Sequence, residues 1–366
     1  MPRHDLAGTC VPGVLRPCVL LLLAAVAPAI ARPLNPEVSA IGDLRLVAAD
    51  HAATELRFAE LEVGIAGPLN PYARAEVTLA VHGTEGVEVE EARLHLDRLL
   101  PGGLGLTAGQ YLLGVGHLNP LHAHAYPFVD RPLVHEAFFG EDGARDMGVR
   151  LDWLAPVDRV TLRVAADAMR GDVLTGGHTH HDDDHAHDVH DDGDSAEVEP
   201  EIGAVGRIEL FVEPGDAVSF ALGASVMYGT HDPVEDARAT VAGPDLRLRW
   251  DLGPTRSLVV DAEALFGRLD ATDETPATDP RGWFVSGDLR LSPRWNVGGF
   301  AEATTARLDD DAITRRAGAF AGLALMEETT LFRLLVRSTD PPDAGSSVDV
   351  VLQAIFGLGP HRPHRY

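Results

Sequence analysis

The 366 residues carry a formal charge of −26, and none of the 30 basic side chains is a lysine. A surface this acidic repels phosphodiester backbones, which excludes nucleic acid as a partner, and it attracts cations. With 45% apolar residues, the chain suits either a soluble globule or a barrel whose residues alternate between lipid and water.

Residues 1–31 read as a secretory signal peptide. Arg3 and Arg16 supply positive charge, an apolar stretch runs from Val19 to Ala27, and Ala29-Ile30-Ala31 offers a small-x-small cleavage site. Both cysteines, Cys10 and Cys18, lie in that segment, so residues 32–366 contain no disulfide and no thiolate metal site.

Beyond the signal the chain breaks into segments of about ten residues with period-2 alternation, the pattern of transmembrane strands. Ala73, Ala75, Val77, Leu79 and Val81 alternate with Arg74, Glu76 and Thr78. Met147, Val149, Leu151 and Trp153 alternate with Asp146, Arg150 and Asp152, and Leu246, Leu248 and Trp250 with Asp245, Arg247 and Arg249. The count between residues 38 and 358 is about sixteen strands, an even number that brings both ends to one side.

The connections alternate as well. Short turns fall at every second junction, at residues 67–71, 100–103, 155–158, 213–216, 253–255, 292–294 and 327–329, and six of the seven contain proline. Longer polar connections are expected between them at 116–145, 171–202, 230–244, 270–281, 308–314 and 339–346, with short ones near His51 and Gly83. This is the plan of an all-β, up-and-down antiparallel transmembrane barrel with short periplasmic turns and long extracellular loops. Trp153, Trp250 and Trp295 lie beside the short turns, where an interfacial aromatic girdle belongs.

Two loops carry candidate sites. Residues 116–145 are rich in apolar, aromatic and proline residues, so they are expected to be ordered and folded into the mouth of the barrel. His122 and His124, two apart in an extended stretch, point the same way; they either share a metal or hydrogen-bond the wall. Asp130 and Arg131 follow on the same loop. Arg74, Glu76, Arg150 and Asp152 join them from the watery side of the strands, where mixed arginines and carboxylates set up a transverse field.

The second loop, within residues 170–202, contains His178, His180, His181, Asp182, Asp183, Asp184, His185, His187, Asp188 and His190. Neutral imidazole and carboxylate suit zinc, nickel or copper, and the expected cofactor is loosely bound zinc. The density of ligands points to metal, but no spacing selects one tetrahedral set; a solvated low-complexity loop is the bland alternative. Enzyme signatures are absent: there is no Gly-x-Ser-x-Gly elbow, no His-Glu-x-x-His and no phosphate-cradling glycine loop. The chain is read as a non-enzyme.

The stretches Leu34–Asp43, Val87–Arg93 with its continuation to Gly116, His117–Tyr126 and Phe356–Tyr366 resemble a group of Gram-negative outer-membrane proteins. That group is often labelled zinc-regulated outer-membrane receptors and is distantly like the phosphate-selective porins O and P. The resemblance implies an outer-membrane, porin-like channel for small solutes that aids zinc or divalent-metal uptake. A TonB-dependent receptor needs a larger barrel and a plug, which this length does not supply. A phosphate path wants a ladder of cations, which the acidic excess opposes. The competing readings are a non-conducting metal-binding or structural barrel and a relative of the phosphate-selective porins. Expected partners are outer-membrane lipid, small solutes or divalent cations, and further copies of the chain in a homotrimer.

Overall fold

A computed structural model describes residues 36–50, 52–83, 86–96, 102–175, 201–325 and 329–359. The proposed signal peptide and the histidine-aspartate tract lie outside them. The described residues form one closed antiparallel barrel. Its strands are β1 (Glu37–Ala49), β2 (Glu55–Asn70), β3 (Ala73–His82), β4 (Val87–Leu96), β5 (Leu104–Leu112), β6 (Arg145–Val157), β7 (Val160–Met169) and β8 (Gly203–Gly215). They continue as β9 (Val218–Asp232), β10 (Ala237–Gly253), β11 (Arg256–Leu269), β12 (Arg281–Arg290), β13 (Trp295–Ala306), β14 (Asp309–Ala324), β15 (Thr330–Asp340) and β16 (Ser347–Leu358). Every strand pairs with the next, and β16 closes on β1 from Ala40↔Leu358 to Ala49↔Asp349. Closure removes the open edges that would otherwise leave backbone groups unpaired in lipid.

The period-2 pattern is realised with the apolar set outward. Along β6, Met147, Val149, Leu151 and Trp153 are exposed, while Asp146 on the other face is buried. The same division holds for Leu334 and Val336 against Arg333 on β15, and for Val350 and Leu352 against Asp349 and Gln353 on β16. An apolar belt of this extent is unsustainable in water and is solvated by acyl chains. Trp153, Trp250 and Trp295 ring the short-turn side of the belt, and Tyr228, Phe266 and Trp283 lie outward toward the long-loop side. No described helix is long and apolar enough to cross a membrane; the crossing is made by strands.

Two expected long connections prove short. The chain between β9 and β10 is only Pro233 to Asp236, and that between β13 and β14 only Arg307 and Leu308. In the first case the polar reading missed an inward face. Thr230, Ala239 and Val241 are buried, and Leu174 of the short helix α2 (Asp172–Thr175) lies against Gly229. The sheet therefore continues past Pro244, which pairs with Ala224 while the ladder to β11 lapses over Gly243 and Pro244. Pro68, Pro156 and Pro214, read as turn residues, instead fall within the last three residues of strands β2, β6 and β8.

Two of the register shifts bear on the interior. On β2 the register moves from Asp43↔Glu60 to Leu44↔Phe58, and Ala59 is the extra residue. On β4 it moves from Leu79↔Val89 to Thr78↔Glu91, so Glu90 is unpaired and both Glu90 and Glu91 turn to the interior. An inserted residue re-aims the side chains that follow it.

Candidate functional site: a loop across the barrel lumen

Residues 113–144, between β5 and β6, fold into the barrel and cross it. They contain a 3-10 turn at Ala123–Ala125 and the short helix α1 (Leu133–Phe139). The apolar residues that distinguish this loop form its own core: Tyr126, Phe128, Val129, Val134 and Phe138 are buried with Leu265, Phe284 and Phe300 of the opposite wall. Phe128 stacks on Tyr126 at 5.1 Å and tilts against Phe284 at 4.8 Å. Loops of this length that bury their own side chains are usually functional.

Charged groups of the wall hold the loop. Glu263 Oε1 accepts the backbone N–H groups of His117 (2.5 Å) and Leu118 (2.6 Å), while its Oε2 meets His135 Nε2 at 2.6 Å. Glu302 accepts the N–H of Leu133 at 2.7 Å and pairs with Arg316 at 2.5 Å; Arg316 in turn donates to the Arg131 carbonyl. Asp130 is clamped between Arg45 (2.7 Å) and Arg337. Burial opposes ionisation of its carboxyl, but Arg337 and Arg45 outweigh that and hold its pKa below the ordinary range. Val129, just before it, has φ +82°, a strained conformation for a β-branched residue that persists because both neighbours are fixed.

The other face of the loop meets an acidic wall. His122 Nδ1 lies 3.3 Å from Glu62 Oε2 and 3.3 Å from Glu90 Oε2, and its Nε2 lies 3.3 Å from Glu91 Oε2. His124 Nδ1 is also 3.3 Å from Glu62 Oε2. Burial works against a charged His122, yet Glu62, Glu90 and Glu91 raise its pKa well above the usual imidazole value. Below the loop, toward the short turns, the wall carries paired charges. Glu76 bridges Arg74 (3.4 Å), Arg93 (2.9 Å) and His95 (3.2 Å). Arg150 binds Asp167 at 2.7 Å and Arg207 binds Asp245 at 2.6 Å.

The residues expected from sequence thus separate into three groups. His122 and His124 both face Glu62, although His124 lies in the 3-10 turn at Ala123–Ala125 rather than in the extended stretch expected. Asp130 and Arg131 are clasps of the loop; Arg131 donates to the Glu141 carbonyl at 3.1 Å and sits over the Tyr126 ring. Arg74, Glu76, Arg150 and Asp152 face the lumen on the strands, Asp152 beside Gly105. His178, His180, His181, Asp182, Asp183, Asp184, His185, His187 and His190 lie outside the described residues. Sequence reasoning passed over Glu60, Glu62, His82, Glu90, Glu91 and Glu302. The spacing Glu60-Leu61-Glu62 on a period-2 strand was a usable signal; the doubled Glu90-Glu91 was not, because only the bulge turns both inward.

The fold and its apolar belt define an outer-membrane β-barrel of porin architecture. No family model matches the chain. A protein of Aquifex aeolicus (strain VF5), described only as uncharacterized, is 28% identical over 262 residues, 66% of this chain and 53% of that protein; the match thus spans about half of the relative's length. Among solved structures, an anion-selective porin from Comamonas acidovorans superimposes with a TM-score of 0.60 at 11% identity, over 88% of this chain and 99% of its own. The trimer form of OmpT, an outer-membrane protein of Vibrio cholerae, gives 0.58 at 7% identity over 88% and 99%. The outer-membrane channel DcaP of Acinetobacter baumannii gives 0.56 at 12% over 89% and 97%. At these identities the likeness is one of fold.

Proposed function

We propose that the protein is a porin-like channel that passes small hydrophilic solutes, prefers cations, and aids uptake of zinc or another divalent metal. The observation that carries the reading is the loop of residues 113–144, tied across a lumen whose strand faces are charged. Such a loop narrows a water-filled path and sets the field inside it. The lumen arginines argue little for anions, because Arg93, Arg150 and Arg207 are each paired with a carboxylate. That pairing also weakens the reading as a phosphate-selective relative.

The outer tract, with His178, His180, His181, His185, His187 and His190, is taken as a loose zinc-collecting segment on composition. A homotrimer is taken as the assembly. An outward concavity of about 670 Å³ on β11–β15, floored by Ala264, Ala301, Ala303 and Ala317, is where small side chains let a neighbouring surface approach.

One observation favours a second reading, a non-conducting barrel: Tyr126, Val129 and His135 in the loop are fully buried, as they are in a plug. Recording purified protein in planar bilayers separates the two. Discrete conductance steps with cation-favouring reversal potentials are the expected result. Folded protein that never opens supports the plugged barrel.

A further inference from the structure

The junction between the inner loop and the acidic wall holds a group of side chains that neither solute passage nor loop docking requires. Three carboxylates and two imidazoles converge within one small volume, contributed by β2, β4 and the loop. One ligand atom each from Glu62, Glu90 and His122 lies within 4.8 Å of the others. The Glu62–His122, Glu90–His122 and Glu62–His124 contacts are all 3.3 Å. Yet Glu62 Oε2, which belongs to a 5% exposed residue, and Glu90 Oε2 make no hydrogen bond there. Buried carboxylate oxygens are ordinarily hydrogen-bonded, and leaving two of them without such a bond is costly.

We propose that Glu62, Glu90, His122 and His124 form a zinc site at the seam between the inner loop and the barrel wall. Three of the donor pairs, Glu62–His122, Glu90–His122 and Glu62–His124, already have the spacing of a coordination shell, and His124 joins the group through Glu62. Donors about 2.0–2.1 Å from a tetrahedral zinc ion stand about 3.3 Å from one another. Two imidazole nitrogens and two carboxylate oxygens suit zinc, whereas calcium and magnesium select oxygen alone. The surroundings are those of a built metal site. Glu91 Oε2 accepts from His122 Nε2 at 3.3 Å, which fixes the tautomer that leaves Nδ1 for the metal, the usual carboxylate–histidine arrangement around zinc.

A way in is also present. The other oxygen of Glu90, Oε1, lies 3.7 Å from His82 Nε2, and Glu60 joins these two in a second group of close donors. His82 ends β3 at the long-loop rim and is about one-third exposed. Glu90 therefore touches both groups, one per oxygen, and links the rim to the buried position. Binding staples the loop to β2 and β4, and it does so whether or not the barrel conducts.

The test uses the full-length refolded protein with His178, His180, His181, His185, His187 and His190 replaced by asparagine, so that the outer tract does not mask the seam. Zinc is titrated calorimetrically, and cobalt(II) absorption reports the geometry. Retention of at least one zinc per chain with a tetrahedral cobalt spectrum is expected. Glu62→Gln and His122→Ala should each weaken binding by about tenfold or more, given what even outer-shell losses cost. Glu76→Gln, a lumen carboxylate away from the seam, should bind as the parent does. Heat-modified gel mobility confirms that each variant is folded. The proposal is overturned if the six-asparagine protein binds no zinc, or if folded Glu62→Gln and His122→Ala bind as the parent does. Planar-bilayer conductance of the same samples tests the channel reading separately.

Discussion

Glu263 shows how much can rest on one side chain. Its two oxygens serve three donors of the inner loop, at His117, Leu118 and His135, from a position with 1% side-chain exposure. Replacement by alanine leaves those donors buried without acceptor, a loss of the kind that costs about 3–5 kcal/mol. In planar bilayers, Glu263→Ala should give larger and noisier conductance steps than wild type, as the loop leaves the wall. Glu136 on α1 provides a pH handle. Burial, with Asp130 and Glu302 nearby and Arg316 opposing, raises its carboxyl to about 7. Its folded pKa stands above the unfolded value, so the native state keeps the proton longer. Its contribution to loop docking is therefore full at acid pH and declines as pH rises through about 7. Open-channel noise should increase between pH 6 and 8 in wild type, and Glu136→Gln should flatten that dependence.

At the level of elements, the seam of β4 with β5 has the shortest register among the described residues, from Ala92↔Gln110 to Leu96↔Leu106. Gly109 sits in it at φ +129°, and an added Cβ would lie 2.0 Å from the Ala92 carbonyl oxygen. Any side chain there meets backbone that cannot swing aside, besides about 1–3 kcal/mol for the dihedral itself. Gly109→Val should sharply reduce the folded, heat-modifiable form on gels. Gly287→Ala, where nothing lies within 4 Å, should not. The bulge at Glu90 is the second informative element. Deleting that residue should restore plain alternation with Glu91 in its place, keeping the barrel while removing one carboxylate from the seam.

For the whole molecule, net charge and topology make the predictions. With a formal charge of −26, the loops should concentrate cations at the mouth. The preference should fade as salt shortens the Debye length from about 10 Å at 0.1 M to about 3 Å at 1 M. Reversal potentials in a potassium chloride gradient measure it, and strong anion preference at low salt would return weight to the arginine-lined path. The long connections should lie outside the cell. A tag at Asp184 should be reached by antibody on intact cells, whereas one at Thr255 should be reached only after lysis.

Much of this was available from the sequence because a transmembrane strand must show lipid and water on alternate residues. Period 2, the proline-marked turns and the even strand count therefore specify a barrel locally, one segment at a time. The apolar content of residues 116–145 likewise foretold an ordered inner loop, whereas the extended stretch read around His122 and His124 is broken by a 3-10 turn at Ala123–Ala125. What pairing partners do to each other was not available in the same way. Polar residues at 230–244 and 308–314 read as loop, yet neighbouring strands and α2 supply hydrogen bonds and buried faces that extend β9, β10, β13 and β14 through them. The seam chemistry was hidden for a related reason. Glu62, Glu90 and His122 lie 28 and 32 residues apart along the chain, and each alone is an ordinary lumen polar group. Only closure of the barrel, a one-residue bulge and a loop folded back across the lumen bring their oxygens and nitrogens within 4.8 Å. Alternation is a property of single strands, whereas convergence is a property of the closed sheet.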